Sequence, residues 1–506
     1  MSEHTSHGLF SKDEKPIRFL FENSAFLILG TIAALVWANS GELGQKTHNY
    51  FFNQFELKNM LSPPDETEST AIRHQFESTG AATHGDEHAE GHDDEHPHDG
   101  KDGDKKHADD GHGHDTDQHV AGDGHGHEDG AHAGGHGAAA HGDGHEHSHP
   151  ITWYFIINDI LMAFFFAIAA KEVWESMLPG GALSNPRKAA MPLLATLGGI
   201  VGPALLFIIG AIAVGQLGTL GKGWAVPCAT DIAFSYLVGR LIFGSGHPAI
   251  AFLLLLAIAD DAAGLVIIAI AYPQQTPELM WLLLSVGGMA IAFVMGKMKI
   301  HSFWWYLLIP GVMSWFGFYW AHIHPALGLV PIIPMMPHAG SDLGIFVKAE
   351  LKRNDTLNEF EHWWKNPVEI ILGLFGLCNA GVAFTSIGAG TWLVLLGLII
   401  GKPVGIALCA WAGEKLFGLS VPDGMDYRDV ITLGFVAGIG FTVALFVSTA
   451  AFDKADPNLD PIKMGALLSF GAAIISFIVA KVLGVQPWSK KKLGLEGGGN
   501  SEAESK

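Results

Sequence analysis

Runs of roughly 17 to 25 predominantly apolar residues recur along this 506-residue chain. At about 1.5 Å per helical residue, each is long enough to cross about 30 Å of hydrocarbon. Such a chain folds as an all-α polytopic membrane protein. A soluble enzyme is excluded, and so is a nucleic-acid binder, because no basic patch is present to neutralise phosphates: 30 basic side chains stand against 51 acidic ones. About twelve spans are predicted, at 25–38, 151–170, 189–214, 223–241, 249–272, 278–295, 303–320, a short one at 325–336, 370–384, 392–411, 430–452 and 462–483. Cys228, Cys378 and Cys409 fall within these runs without metal-ligand spacing and read as small packing residues.

Twelve crossings place both termini on one side. Alternate loops carry Lys12, Arg18, Arg187, Lys188, Lys297, Lys299, Lys348, Lys352, Arg353, Lys415, Arg428 and Lys490 to Lys492, whereas the opposite short loops carry only Lys222, Lys454 and Lys463. The excess of basic residues marks the cytoplasmic side, so both ends are predicted there. The expected organisation is therefore a cytoplasmic N-terminus and first membrane helix (1–38), an outward loop (39–150), the remaining membrane helices (151–485) and a cytoplasmic tail (486–506). A cleaved signal peptide is the alternative for the first span, since Val36-Trp37-Ala38 loosely resembles a cleavage site. The charge count requires the segment to stay.

The informative residues are the polar ones at membrane depth. Asp260 and Asp261 lie in the middle of the span 249–272 and are its only charges. Even on the lenient insertion scale a carboxylate there costs about 2.5–3.5 kcal/mol. Two adjacent carboxylates titrate as a coupled pair and are also hard ligands for a small hard cation. One site can then hold protons or a metal ion, each displacing the other. Thr230 and Asp231 follow Pro227, which interrupts helical hydrogen bonding and leaves peptide groups unpaired. Asp231 can offset the positive ends of helix dipoles there, or serve as a hydrogen-bonded residue at a helix interface. Lys402, followed by Pro403, is the one charge in 392–411 and must find an anion or helix C-termini. Gly434, Gly438 and Gly440 precede Phe441-Thr442 in 430–452. Each half of the chain thus has an interrupted hydrophobic segment as the middle member of three spans, the sequence pointer to inverted repeats around a mid-membrane ion site.

The strings Ala229-Thr230-Asp231-Ile232-Ala233-Phe234, Asp260-Asp261, Asn379-Ala380-Gly381-Val382, Gly401-Lys402-Pro403-Val404-Gly405 and Gly440-Phe441-Thr442 resemble those of the NhaA-type sodium/proton antiporters. The agreement runs in order from about Pro16 to Leu483, apart from the outward insertion. The resemblance implies that Asp260 and Asp261 carry the cation and the protons, and that the two interrupted helices cross at the site. It implies that Asp231 and Lys402 compensate the broken helix ends, that Lys402 pairs with Asp260, and that Asn158-Asp159 is the family's second-helix pair. Members resembling this chain carry Leu-Glu-Val-Lys-Arg-Glu after the second helix, where this one reads Lys171-Glu172-Val173-Trp174-Glu175-Ser176. Glu172 carries over to the pH-sensing entrance. Lys171 is read as a residue snorkelling from a helix end rather than as an extra counter-charge. Glu361-His362, expected just before the ninth helix, and His324, opening the eighth, are further pH-sensing candidates, with ordinary loop or interface roles as the alternative. An outward hairpin between the first two helices helps members dimerise, so a homodimer is expected.

Between His84 and His149 lie 17 of the 27 histidines and 18 acids against 3 lysines, a net −15 of the chain's −21. With almost no large apolar side chains, this tract is expected to be disordered. It can bind transition metals loosely, act as a proton-responsive polyelectrolyte, or be a solvated spacer. The sequence reads as a secondary transporter of the bacterial inner membrane that exports Na⁺ or Li⁺ in exchange for external protons, electrogenic and pH-regulated, with no cofactor. The alternative is a divalent-metal (Zn²⁺)/H⁺ exporter using the histidine-rich loop.

Overall fold

The computed structural model describes residues 25–55, 151–181, 183–244, 246–338 and 355–485. The chain divides into one unit of 1–58 with 151–506 and a second of 59–150. The second unit, with the histidine tract 84–149, lies outside the described residues, as do Lys12, Arg18, Lys348, Lys352, Arg353 and Lys490 to Lys492.

The described residues of the membrane part are mainly helical. In order they form α1 (Ala25–Ala38), α2 (Trp153–Met177), α3 (Pro186–Ala213), α4a (Leu217–Cys228) and α4b (Ile232–Phe243), α5 (Pro248–Ala271), α6 (Leu279–Lys297) and α7 (303–320). There follow α8 (Pro325–Met335), α9 (Thr356–Asn379), α10 (Ala389–Phe417), α11a (Tyr427–Ala437) and α11b (Phe441–Ala451), and α12 (Leu459–Leu483). Six of these are continuous helices long and apolar enough to cross a membrane, and two more qualify if each bent pair counts as one span. Their outer faces stay apolar, with Leu283, Val286 and Phe293 of α6 exposed, as suits a helix whose surroundings are lipid tails. Pro325, Pro331 and Pro334 limit α8 to short 3₁₀ turns.

One expected boundary is corrected. The ninth helix spans Thr356–Asn379 rather than 370–384, so Glu361 and His362 lie inside it and not before it. Asp355 sets its start, since its Oδ1 accepts from Asn358 N at 2.9 Å. Pro367 sits within the helix and does not bound it.

The frame around the site is set by backbone contact. Helices α3 and α10 cross at Gly198 and Gly405, where a methyl group on Gly405 would sit 2.0 Å from the Gly198 carbonyl oxygen. No side chain fits, and the two backbones touch. Gly405→Ala is therefore expected to lower the melting temperature of the purified protein, in line with an overpacking cost of about 1–3 kcal/mol. Gly471→Ala, where an added carbon meets nothing within 4 Å, is the control, and an equal melting temperature for both variants would contradict the contact.

Candidate functional site

Two interruptions meet at the centre of the bundle. In the first half of the chain a 3₁₀ segment, Gly221–Cys228, ends after Pro227, residues 229–231 are non-helical, and α4b resumes at a bend of 52°. The break thus falls two to four residues beyond Pro227. In the second half α11a and α11b are bent by 50° at Gly438–Gly440. Gly440 lies so close to α4 that an added carbon would be 2.9 Å from the Ala229 carbonyl oxygen.

Asp231 stands between two helix N-termini. As the N-cap of α4b its Oδ1 accepts from Phe234 N at 3.2 Å, while Oδ2 accepts from Thr442 N at 3.3 Å and from the Thr442 hydroxyl, at the start of α11b. A single carboxylate thus faces the positive ends of both second half-helices. The Asp231 N–H donates across to the Ile439 carbonyl at 2.7 Å. The carbonyl ends of the first half-helices are met from the opposite sense. Lys402 Nζ donates to the Cys228 carbonyl at the end of α4a, and Ser235 Oγ donates to Val436 O of α11a at 3.1 Å.

Lys402 is completely buried and also donates to Asp260 Oδ2 at 2.9 Å. Its two sequence options, an anion or helix C-termini, are both realised. A π-helical turn at Gly397–Gly401 immediately precedes it within α10. Such a turn re-aims the residues that follow it and is frequent at functional sites. Thr230 Oγ1 donates to the same Asp260 oxygen at 2.6 Å, with the Ala437 carbonyl 3.3 Å away. Asp261 is only half-buried and lines, with Asp260, a small cavity walled by Ile200, Gly264, Val443 and Val447. It lies within electrostatic reach of Asp260, Glu172 and Asp231, opposed by Lys402. One acid of the pair is tied to a cation and a hydroxyl, and the other faces open space.

The entrance residues separate into three groups. Lys171 is buried and donates to Glu361 of α9, and it also pairs with Glu175 one turn along α2. The snorkelling reading is thereby corrected, because two carboxylates within reach hold the ammonium inside. Glu172 is half-buried beside this cluster, in electrostatic reach of Lys171, Glu361 and Lys365. His362 is exposed on α9. His324 is elsewhere, buried at the start of α8, with Nδ1 accepting from Ala326 N at 3.4 Å and lying 3.7 Å from Asp159 Oδ1. Asn158, in a π-helical turn of α2, accepts from Asn379 Nδ2 at 2.9 Å and ties α2 to the end of α9.

Sequence reasoning missed Ser235 and the Cys228 carbonyl. Ser235 stands four residues after Asp231, on the same helical face, which is a readable signal. A backbone carbonyl leaves no trace in the sequence.

An acidic pair at the crossing of two interrupted helices, with a buried lysine as its counter-charge, is the layout of an ion-coupled secondary transporter. The family itself is equally plain. The model of the family Na+/H+ antiporter 1 matches residues 139–483, and the chain belongs to that family. It is 51% identical over 367 residues to the Na(+)/H(+) antiporter NhaA of Jannaschia sp. (strain CCS1), covering 68% of this chain and 87% of that protein. The protein of the same name from Geobacter sulfurreducens is 47% identical over 66% of this chain and 88% of its own length. That of Geotalea uraniireducens is 49% identical over 68% and 90%.

Proposed function

We propose that this multi-pass membrane protein exchanges Na⁺ or Li⁺ for protons, with Asp260 and Asp261 as the shared binding site. The observation that carries the reading is the asymmetric pair: Asp260 held by Lys402 and Thr230, Asp261 open to the cavity. At high cytoplasmic pH the pair loses protons and a cation binds between the carboxylates, competing with the Lys402 ammonium for Asp260. Movement of the two repeats then exposes the site outward, where protons displace the ion. Two titrating carboxylates against one monovalent ion make the exchange electrogenic. Asp231, Thr230 and Lys402 hold the broken helix ends in place, and Glu172 with the Lys171–Glu175–Glu361 cluster and His362 tunes cation entry with pH, while His324, away from that cluster beside Asp159, is the other pH-sensing candidate. The cycle uses no resident cofactor.

The charge distribution supports a bacterial inner-membrane setting with both termini cytoplasmic and the 39–150 segment outward, and the protein acts as a homodimer in this reading. Among the described residues no group of three His, Cys, Asp or Glu side chains can hold a metal ion; the divalent-metal alternative rests on the tract 84–149, which lies outside them. The tract 84–149 serves as a loose transition-metal binder outside the transport path.

The test is a pH-gradient flux assay in proteoliposomes with Na⁺, Li⁺, K⁺ and Zn²⁺ side by side, on the full chain and on a variant lacking residues 83–149. Na⁺ and Li⁺ are expected to drive proton flux in both proteins, while Zn²⁺ binding falls sharply in the deletion. Zn²⁺ flux in the full chain, lost together with Na⁺ exchange on deletion, would replace the sodium assignment by the metal exporter.

A further inference from the structure

His247 and Asp429 belong to neither the ion site nor the entrance cluster, yet both are buried. His247 is the N-cap of α5, the helix that carries Asp260 and Asp261, and its Nδ1 accepts from Ala249 N at 3.1 Å. Asp429 lies in the first turn of α11a, the half-helix whose last carbonyl, at Ala437, faces Thr230. Its Oδ2 accepts from Asp426 N at 2.9 Å and lies 4.0 Å from His247 Nε2. The ring of Phe243, at the end of α4b, is 5.3 Å from the imidazole. Among the described residues, the other charged groups at this end of the packed helices are Arg240 of α4b, Glu414 and Lys415 of α10, Asp423 and Asp426 just before α11a, Arg428 within it, and Lys481 of α12.

The imidazole has two tasks that one protonation state cannot fill. To cap α5, Nδ1 must present a lone pair to the Ala249 N–H, so the neutral ring carries its proton on Nε2, facing Asp429. Protonation places a hydrogen on Nδ1 and ends the cap, while the ring's new positive charge strengthens its attraction to Asp429. The neutral ring supports the dyad helix, and the charged ring ties that helix to the first half of the broken one.

We infer that His247 and Asp429 form a proton-controlled positioning pair that couples α5 to α11a and holds the transporter back when the side facing it is acidic. The inference rests on the antiport reading and on the orientation that places this end of the helices in the cytoplasm, where a free histidine changes charge near pH 6.5. Neither residue touches the transported ion. Each acts on Asp260 and Asp261 through the helix it caps.

The experiment is the pH profile of Na⁺-driven proton flux in proteoliposomes for wild type, His247→Gln, Asp429→Asn and the double variant. Each single change is expected to move the acid limb to lower pH by about half a unit or more, with little loss of maximal rate, and the double variant to move no further than the singles. Profiles superimposable on wild type, or shifts that add, would overturn the pair. The wild-type curve tests antiport itself, so failure of that reading shows as no Na⁺-driven flux in any protein. Melting temperature against pH keeps the pair testable in that case: the pH dependence that His247 protonation contributes should flatten equally in both single variants, and a wild-type-like dependence in either would reject it.

Discussion

Asp261→Asn and Asp260→Asn are each expected to reduce Na⁺-driven proton flux to the level of protein-free liposomes, the largest functional effect predicted here. Asparagine keeps the shape of the carboxylate but loses both the titratable proton and the negative charge that a cation needs. The two variants should differ in stability. Asp261 faces the cavity, and removing its charge relieves repulsion from Asp260, so its melting temperature should stay at or above wild type. Asp260 accepts from Lys402, which is completely buried. Its loss leaves a buried ammonium without its anion, and breaking such a pair typically costs about 3–5 kcal/mol. Robust exchange by the Asp260→Asn, Asp261→Asn double variant would remove the pair from the mechanism.

The second large effect is on stability. Lys402→Ala deletes the donor to both Asp260 and the Cys228 carbonyl, leaving a buried carboxylate and an open helix end. The loss should again reach about 3–5 kcal/mol, read as a lower melting temperature, with an altered pH profile of flux. Lys402→Arg retains the charge and should keep more of both properties. Because Lys402 and Asp260 share one interaction, the Lys402→Ala, Asp260→Asn double variant should be less destabilised than the sum of the singles. An alanine variant as stable and active as wild type would end the counter-charge assignment.

Much of this architecture is legible in the chain because membrane burial leaves so few polar residues unexplained. Asp231, Asp260, Asp261 and Lys402 stand out as charges in apolar runs, and each is placed at the crossing. The start of α9 was less legible: its first turns carry Glu359, Glu361, Lys365 and Asn366 and do not read as apolar, and the signal was Asp355 as a cap rather than hydropathy. The partners of Lys171 were out of reach for another reason. Glu361 is 190 residues away, and pairing across that distance is fixed by how α2 and α9 pack, which residue spacing does not encode.

The Thr230 hydroxyl has a single hydrogen and two acceptors in range, Asp260 Oδ2 at 2.6 Å and the Ala437 carbonyl at 3.3 Å. It can serve one acceptor at a time. While Asp260 is an anion the hydrogen belongs to it, and the Ala437 carbonyl goes without this donor. Once a proton or a cation neutralises Asp260, the carboxyl competes less strongly and the hydrogen is free to turn toward Ala437. In the antiport reading proposed above, the loading of the site is thereby passed, as the rotation of one hydroxyl, to a half-helix from the other half of the sequence.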